Sequence, residues 1–184
     1  MKASSQLAGE ARSLRLAVLR STFNAHVVAG LLAGARQALL DMGLAPEALT
    51  LIEVPGAFEL PLAARAAAAS GRFDALIALG AVIRGETDHY EHIAREAAAG
   101  LAAVARETGV PVGFGVLTVE TEGQALARSA PGRENKGAEA ARAAVAMVHV
   151  LRGLKTKATE PRRTRRTTRQ TVASARKLAR SRKG

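Results

Sequence analysis

Four short apolar runs, LRLAVLR (14–20), ALTLIEV (48–54), FDALIALGAVI (73–83) and VGFGVLTV (112–119), recur along the chain with longer alanine-rich stretches between them. This alternation constrains the fold more than any other feature. The runs are continuously apolar instead of alternating, so each predicts a strand buried on both faces. A sheet of such strands needs helices on either side, and the intervening stretches predict them over 25–42, 58–70, 88–108, 121–130 and 137–152. The expected architecture is a three-layer α/β/α sandwich around a four-stranded, mainly parallel sheet.

A chain of 184 residues with 48% hydrophobic content suffices for one domain with a substantial core, or a domain with a tail. Charge distribution decides for the second. Of 27 Lys and Arg and 16 Asp and Glu, 12 and 1 respectively fall in residues 155–184, which leaves 15 of each before them. The whole net charge of +11 therefore sits in the last segment. The reading is an N-terminal arm over 1–13, a domain over 14–154 and a disordered Arg/Lys-rich tail over 155–184. Cysteine is absent, which excludes disulfides, thiolate metal sites and a cysteine nucleophile. No apolar run approaches the roughly 20 residues of a membrane span, so no membrane partner and a cytoplasmic location are expected.

Ligands of open parallel sheets collect beyond the carboxyl ends of the strands. STFN (21–24), VPGAFE (54–59), RGETDH (84–89) and the Thr118 region all fall there. In GAVIRGETDHYEHIA (80–94) a strand gives way to Gly85, Glu86 and Thr87 and then to a helix, with Thr87 or Asp88 as its cap. Free amides and the dipole at such a helix start suit a phosphate or another anion. His89, in the first turn, is a candidate proton acceptor near neutral pH. Asp88, His89, Glu91 and His92 read equally as a solvated first turn. His89 and His92 share a face at i,i+3, but the H-E-x-x-H pattern and a third ligand are missing, so no metal is expected. Gly132 to Gly137 lacks the Lys-Ser/Thr of a P-loop, Gly113-Phe114-Gly115 lacks the third glycine of a dinucleotide fingerprint, and Gly-x-Ser-x-Gly does not occur.

FNAHV (23–27), VPGAFELP (54–61), GAVIRGETDHYEHI (80–93), FGVLT (114–118), QALAR (124–128) and NKGAEAA (135–141) stand in the order and spacing of the 6,7-dimethyl-8-ribityllumazine synthase family. The resemblance covers residues 14 to 152 and implies a flavodoxin-like fold. It also implies a cofactor-free condensation in riboflavin biosynthesis, between 5-amino-6-(D-ribitylamino)uracil and 3,4-dihydroxy-2-butanone 4-phosphate. By the same resemblance His89 is the proton-transfer residue and Phe23 stacks on the pyrimidine. Asn24, Ala57, Phe58, Glu59, Ala81, Val82, Ile83 and Lys136 bind substrate, and Gly85, Glu86, Thr87 and Arg128 hold the phosphate. Glu59 would equally serve as a helix cap, and Lys136 with Glu139 as caps of the last helix. Arg128 alone reads as a solvated helix residue, yet a cation is needed to offset Glu86 and Asp88, and a guanidinium can grip phosphate bidentately.

Phe114 resembles a ring supplied by the neighbouring subunit, which implies a pentamer whose pockets lie between subunits. The short spacing from Arg128 to Lys136 extends this to a sixty-subunit icosahedral shell, with riboflavin synthase as a candidate partner. The tail lies outside the resemblance. A dozen cations without aromatics read either as a non-specific nucleic-acid binder or as a solubilising segment. An alternative function is thus a shell-forming lumazine- or flavin-binding protein whose tail binds nucleic acid.

Overall fold

The computed structural model describes residues 10–159, with side chains as far as Lys155. The elements run β1 (Leu16–Ser21), α1 (Ala25–Asp41), β2 (Leu49–Val54), α2 (Leu60–Ala69), β3 (Ala75–Ile83), α3 (His89–Thr108), β4 (Val112–Val119), α4 (Glu122–Ser129) and α5 (Lys136–Thr159). Single 3₁₀ turns precede β2 at Pro46–Ala48 and α2 at Ala57–Glu59.

All four strands are parallel, in the order β2-β1-β3-β4. The expected sheet was mainly parallel; this one is wholly so. β3 is central, pairing Leu76–Ile83 with Val112–Val119 of β4 and Ala75–Leu79 with Leu16–Arg20 of β1. Eight of its nine residues are buried, as its unbroken apolar run requires. Strand alternation sends Leu16, Val18, Ile77 and Leu79 to one face, where they meet Val28 and Leu31 of α1 and Ala141 and Val145 of α5. Ala17, Leu19, Leu76 and Ala78 go to the other, against Leu60 and Ala64 of α2 and Leu101 and Val104 of α3. These are the two outer layers of the sandwich.

Local chemistry sets the helix ends. Thr121 Oγ1 accepts the Gln124 amide at 3.2 Å and so caps α4. At α5 the capping side chain is Asn135, whose Oδ1 accepts the Ala138 amide at 3.0 Å. The alternative of Lys136 and Glu139 as caps is thereby corrected, because their side chains bond each other. α5 reaches Thr159 instead of ending at 152, since no proline intervenes before Pro161. Residues 153–159 belong to a separate compact unit from residues up to Arg152. The expectations for arm residues 1–9 and tail residues 160–184 lie outside the described residues.

Candidate active site at the strand ends

β1 and β3 lie side by side, so the turns that follow them open onto a common rim. The turn after β1 is held by the main chain. The amides of Thr22 and Phe23 donate to the carbonyls of Val54 and Pro55 at 2.8 and 3.0 Å, which ties it to the end of β2. Asn24 follows in the left-handed region, with φ of 54° and ψ of 43°, and begins α1. Its side-chain amide donates to the Ala81 carbonyl of β3 at 2.9 Å. The Phe23 ring between these ties is 71% exposed, so packing does not hold it.

After β2, Gly56 is extended and Ala57–Glu59 form the 3₁₀ turn into α2, which carries proline at the start of the helix. Glu59 sits at the N-cap position of α2 but makes no side-chain cap bond, so the capping alternative finds no bond to support it. Beyond β3 the loop Arg84–Thr87 leads to α3. Asp88 occupies the N-cap position, again without a side-chain bond to the first-turn amides. The capping expectation thus fails for the Asp88 carboxylate, and the amides keep no side-chain cap from it.

A cleft of about 360 Å³ lies between these three segments. Phe23 stands on one wall and Ala57, Phe58 and Glu59 on another. Ala81, Val82 and Ile83 form the floor at the end of β3, and Gly85, Thr87 and His89 complete the rim. Ten of the fifteen candidate residues therefore meet in one cavity. Its lining offers three aromatic rings, one carboxylate and one imidazole, suited to a flat polar ring that bears hydroxyls and exchanges protons.

The other five candidates stand elsewhere. Asn24 is outside the lining, its side-chain amide bonded to the Ala81 carbonyl. Glu86 is exposed and outside the lining. Phe114, 47% exposed, lines a separate shallow groove of about 200 Å³ with Ala98, Leu101, Ala102, Ala105 and Val112. Arg128 is on the surface of α4, with Nη1 donating to the Gln124 carbonyl at 3.0 Å. Lys136 Nζ lies 2.8 and 2.9 Å from the two carboxylate oxygens of Glu139. Among the described residues, no lysine or arginine lines the cleft.

Three lining residues were not foreseen: Gly56, Tyr90 and Ile93. Tyr90 and Ile93 follow His89 at i,i+3 to each other, so the first turn of α3 faces the cleft with an apolar pair as well as the imidazole. The signal was the chain's one tyrosine beside His89. Arg84 is close by, its guanidinium 5.4 Å from the Tyr90 ring centre and 3.7 Å from a Glu120 carboxylate oxygen. No group of three or more His, Asp or Glu side chains among the described residues is arranged to hold a metal, and no described helix is long and apolar enough to cross a membrane.

An open parallel sheet with a small-molecule cleft at its strand ends, walled by aromatic rings and bearing an imidazole, is the arrangement of an α/β enzyme. The comparison with known families is specific. The sequence model of the 6,7-dimethyl-8-ribityllumazine synthase family matches residues 13–152, and the chain belongs to that family, whose members are transferases of riboflavin biosynthesis.

Proposed function

We propose that the cleft condenses 5-amino-6-(D-ribitylamino)uracil with 3,4-dihydroxy-2-butanone 4-phosphate to give 6,7-dimethyl-8-ribityllumazine, phosphate and water. The observation that carries this reading is the convergence of ten candidate residues on one cavity within the matched family region. Phe23 stacks on the pyrimidine, while the main chain of Ala81, Val82 and Ile83 meets its polar edge and Phe58 closes the opposite side. Glu59 accepts hydroxyls of the ribityl chain, and the Ala57–Phe58 main chain supports them. The amides of Gly85, Glu86 and Thr87 receive the phosphate at the start of α3.

The 5-amino group attacks the ketone, and loss of water gives an imine. Loss of the C3 proton then expels phosphate, the resulting enol tautomerises to a ketone at C3, and the ribityl-bearing nitrogen closes the ring onto that new carbonyl with loss of a second water. Each step moves protons between nitrogen, carbon and oxygen. His89 on the rim serves as the acceptor and donor for them.

A second copy completes this site in the reading we favour. Among the described residues no lysine or arginine lines the cleft, whereas Phe114, Arg128 and Lys136 stand on the same chain outside it. A neighbouring subunit that presents these three to the cleft supplies a further ring and the cation that offsets Glu86 and Asp88. The proposed assembly is a pentamer, or a shell of pentamers, that works in the cytoplasm and passes its product to riboflavin synthase.

Purified protein with both substrates should develop the absorbance of the lumazine. No product at any protein concentration would sink the enzyme reading. One observation favours the alternative of a ligand-binding shell protein with a nucleic-acid-binding tail: 12 of the 27 cations lie in residues 155–184 against a single acid.

A further inference from the structure

We infer that Asn24 is a positioning residue for Phe23, holding the ring over the cleft through its left-handed backbone and its side-chain bond to the Ala81 carbonyl. The ring has little packing of its own, so its place depends on the turn that carries it. That turn is anchored on both flanks. On the β2 side the anchors are main-chain bonds from Thr22 and Phe23, reinforced by Thr22 Oγ1 to the Pro55 carbonyl at 3.2 Å. On the β3 side the tie is the Asn24 amide, at 2.9 Å from an oxygen of a residue that itself forms the cleft floor. The bond thus fixes one cleft wall relative to the floor.

The residue type answers two demands at once. Among non-glycine residues, asparagine and aspartate enter the left-handed region most readily, and Asn24 is the one described non-glycine residue with positive φ. Its carbonyl accepts the Val27 and Val28 amides at 3.0 and 3.1 Å, so the same residue starts α1. Glycine would match the backbone but has no amide to donate. Aspartate would keep the shape yet set a carboxylate against the Ala81 carbonyl, which cannot donate to it.

Two measurements test this on the full-length protein. The first is hydrogen exchange of the ligand-free protein. Asn24→Gly should speed exchange over residues 22–28 and leave distant segments at the wild-type rate. No change there, or a rise spread evenly over the chain, overturns the inference.

The second measurement rests on the proposed function and uses steady-state kinetics. Asn24→Gly and Asn24→Asp should each raise KM for the ribitylaminouracil by about fivefold, the loss of one neutral hydrogen bond. KM for the butanone phosphate should stay within about twofold, because the anchor acts on one wall only. Once Phe23→Ala has removed the ring, adding Asn24→Gly should cost nothing further. Additive losses, or equal rises in both KM values, would overturn the positioning role. A wild-type protein that makes no lumazine defeats the proposed reaction instead, and the exchange experiment then decides the inference alone.

Discussion

His89 and Arg128 illustrate two different ways in which one side chain can matter here. His89 belongs to the cleft of its own chain. The condensation of an amine with a ketone proceeds without strong catalysis, so His89→Ala should slow turnover by about 10²-fold or less, at the low end for acid–base groups. Turnover equal to wild type would return the imidazole to a solvated helix turn. Arg128 is outside the cleft of its own chain, spending one guanidinium N–H on the Gln124 carbonyl. If it reaches a neighbour's phosphate, Arg128→Ala should raise KM for the butanone phosphate by about 10- to 100-fold, the loss of charge-assisted hydrogen bonds. KM for the uracil should barely move, and equal changes in both would remove the role. Of these assignments, the sequence exposed the chemistry of a residue but not its address. Histidine after Gly-Glu-Thr-Asp reads as a helix-start group from the strand boundary alone, whereas nothing in QALAR says which copy's cleft its arginine faces.

Secondary-structure elements were legible to the extent that hydrophobic period controls them. β3 is continuously apolar and almost wholly buried, so its identity and place at the centre follow from FDALIALGAVI. The two 3₁₀ turns were not legible because they are closed by bonds within three residues and carry no hydrophobic period, and the left-handed Asn24 was not because its side chain bonds a residue distant in sequence, Ala81. Asn135 is the clearest missed element-scale feature. Only 1% exposed, it caps α5 through Oδ1, and its Nδ2 donates to the carbonyls of Gly30, Ser129 and Ala130 at 3.1, 2.7 and 3.1 Å. A single amide thereby joins α1, the end of α4 and the start of α5. The helices come together because Gly34 leaves room: a Cβ built there would lie 2.0 Å from Asn135 Oδ1. Asn135→Ala removes the side-chain bonds to the Ser129 and Ala130 carbonyls and to the Ala138 amide, and should lower unfolding stability by about 2 kcal/mol. Chemical denaturation measures it; a loss under about 0.5 kcal/mol would show that water replaces these bonds.

Across the whole molecule, the matched family region ends at 152 while ten of the cations fall in residues 160–184. Removing residues 160–184 keeps all of α5 and every residue assigned to the cleft. The truncated protein should therefore keep lumazine formation and its oligomeric state. Full-length protein should bind RNA with an affinity that falls steeply with salt, by a slope of about 0.7 per neutralised phosphate for single strands, and the truncated form should not. Binding retained after truncation, or absent from full-length protein at low ionic strength, would rule out the tail as a polyanion site. The two outer layers of the sandwich share another responsibility. Ala57 and Val82 of the cleft belong to the α2–α3 core, and Tyr90 and Ile93 pack against it, whereas Ala81 belongs to the α1–α5 core and Ile83 packs on that one. Durability and selectivity are therefore coupled in this molecule. Repacking between α1 and α5 leaves the cleft untouched only where it spares the start of α1 at Asn24 and the strand-end residues Ala81 and Ile83.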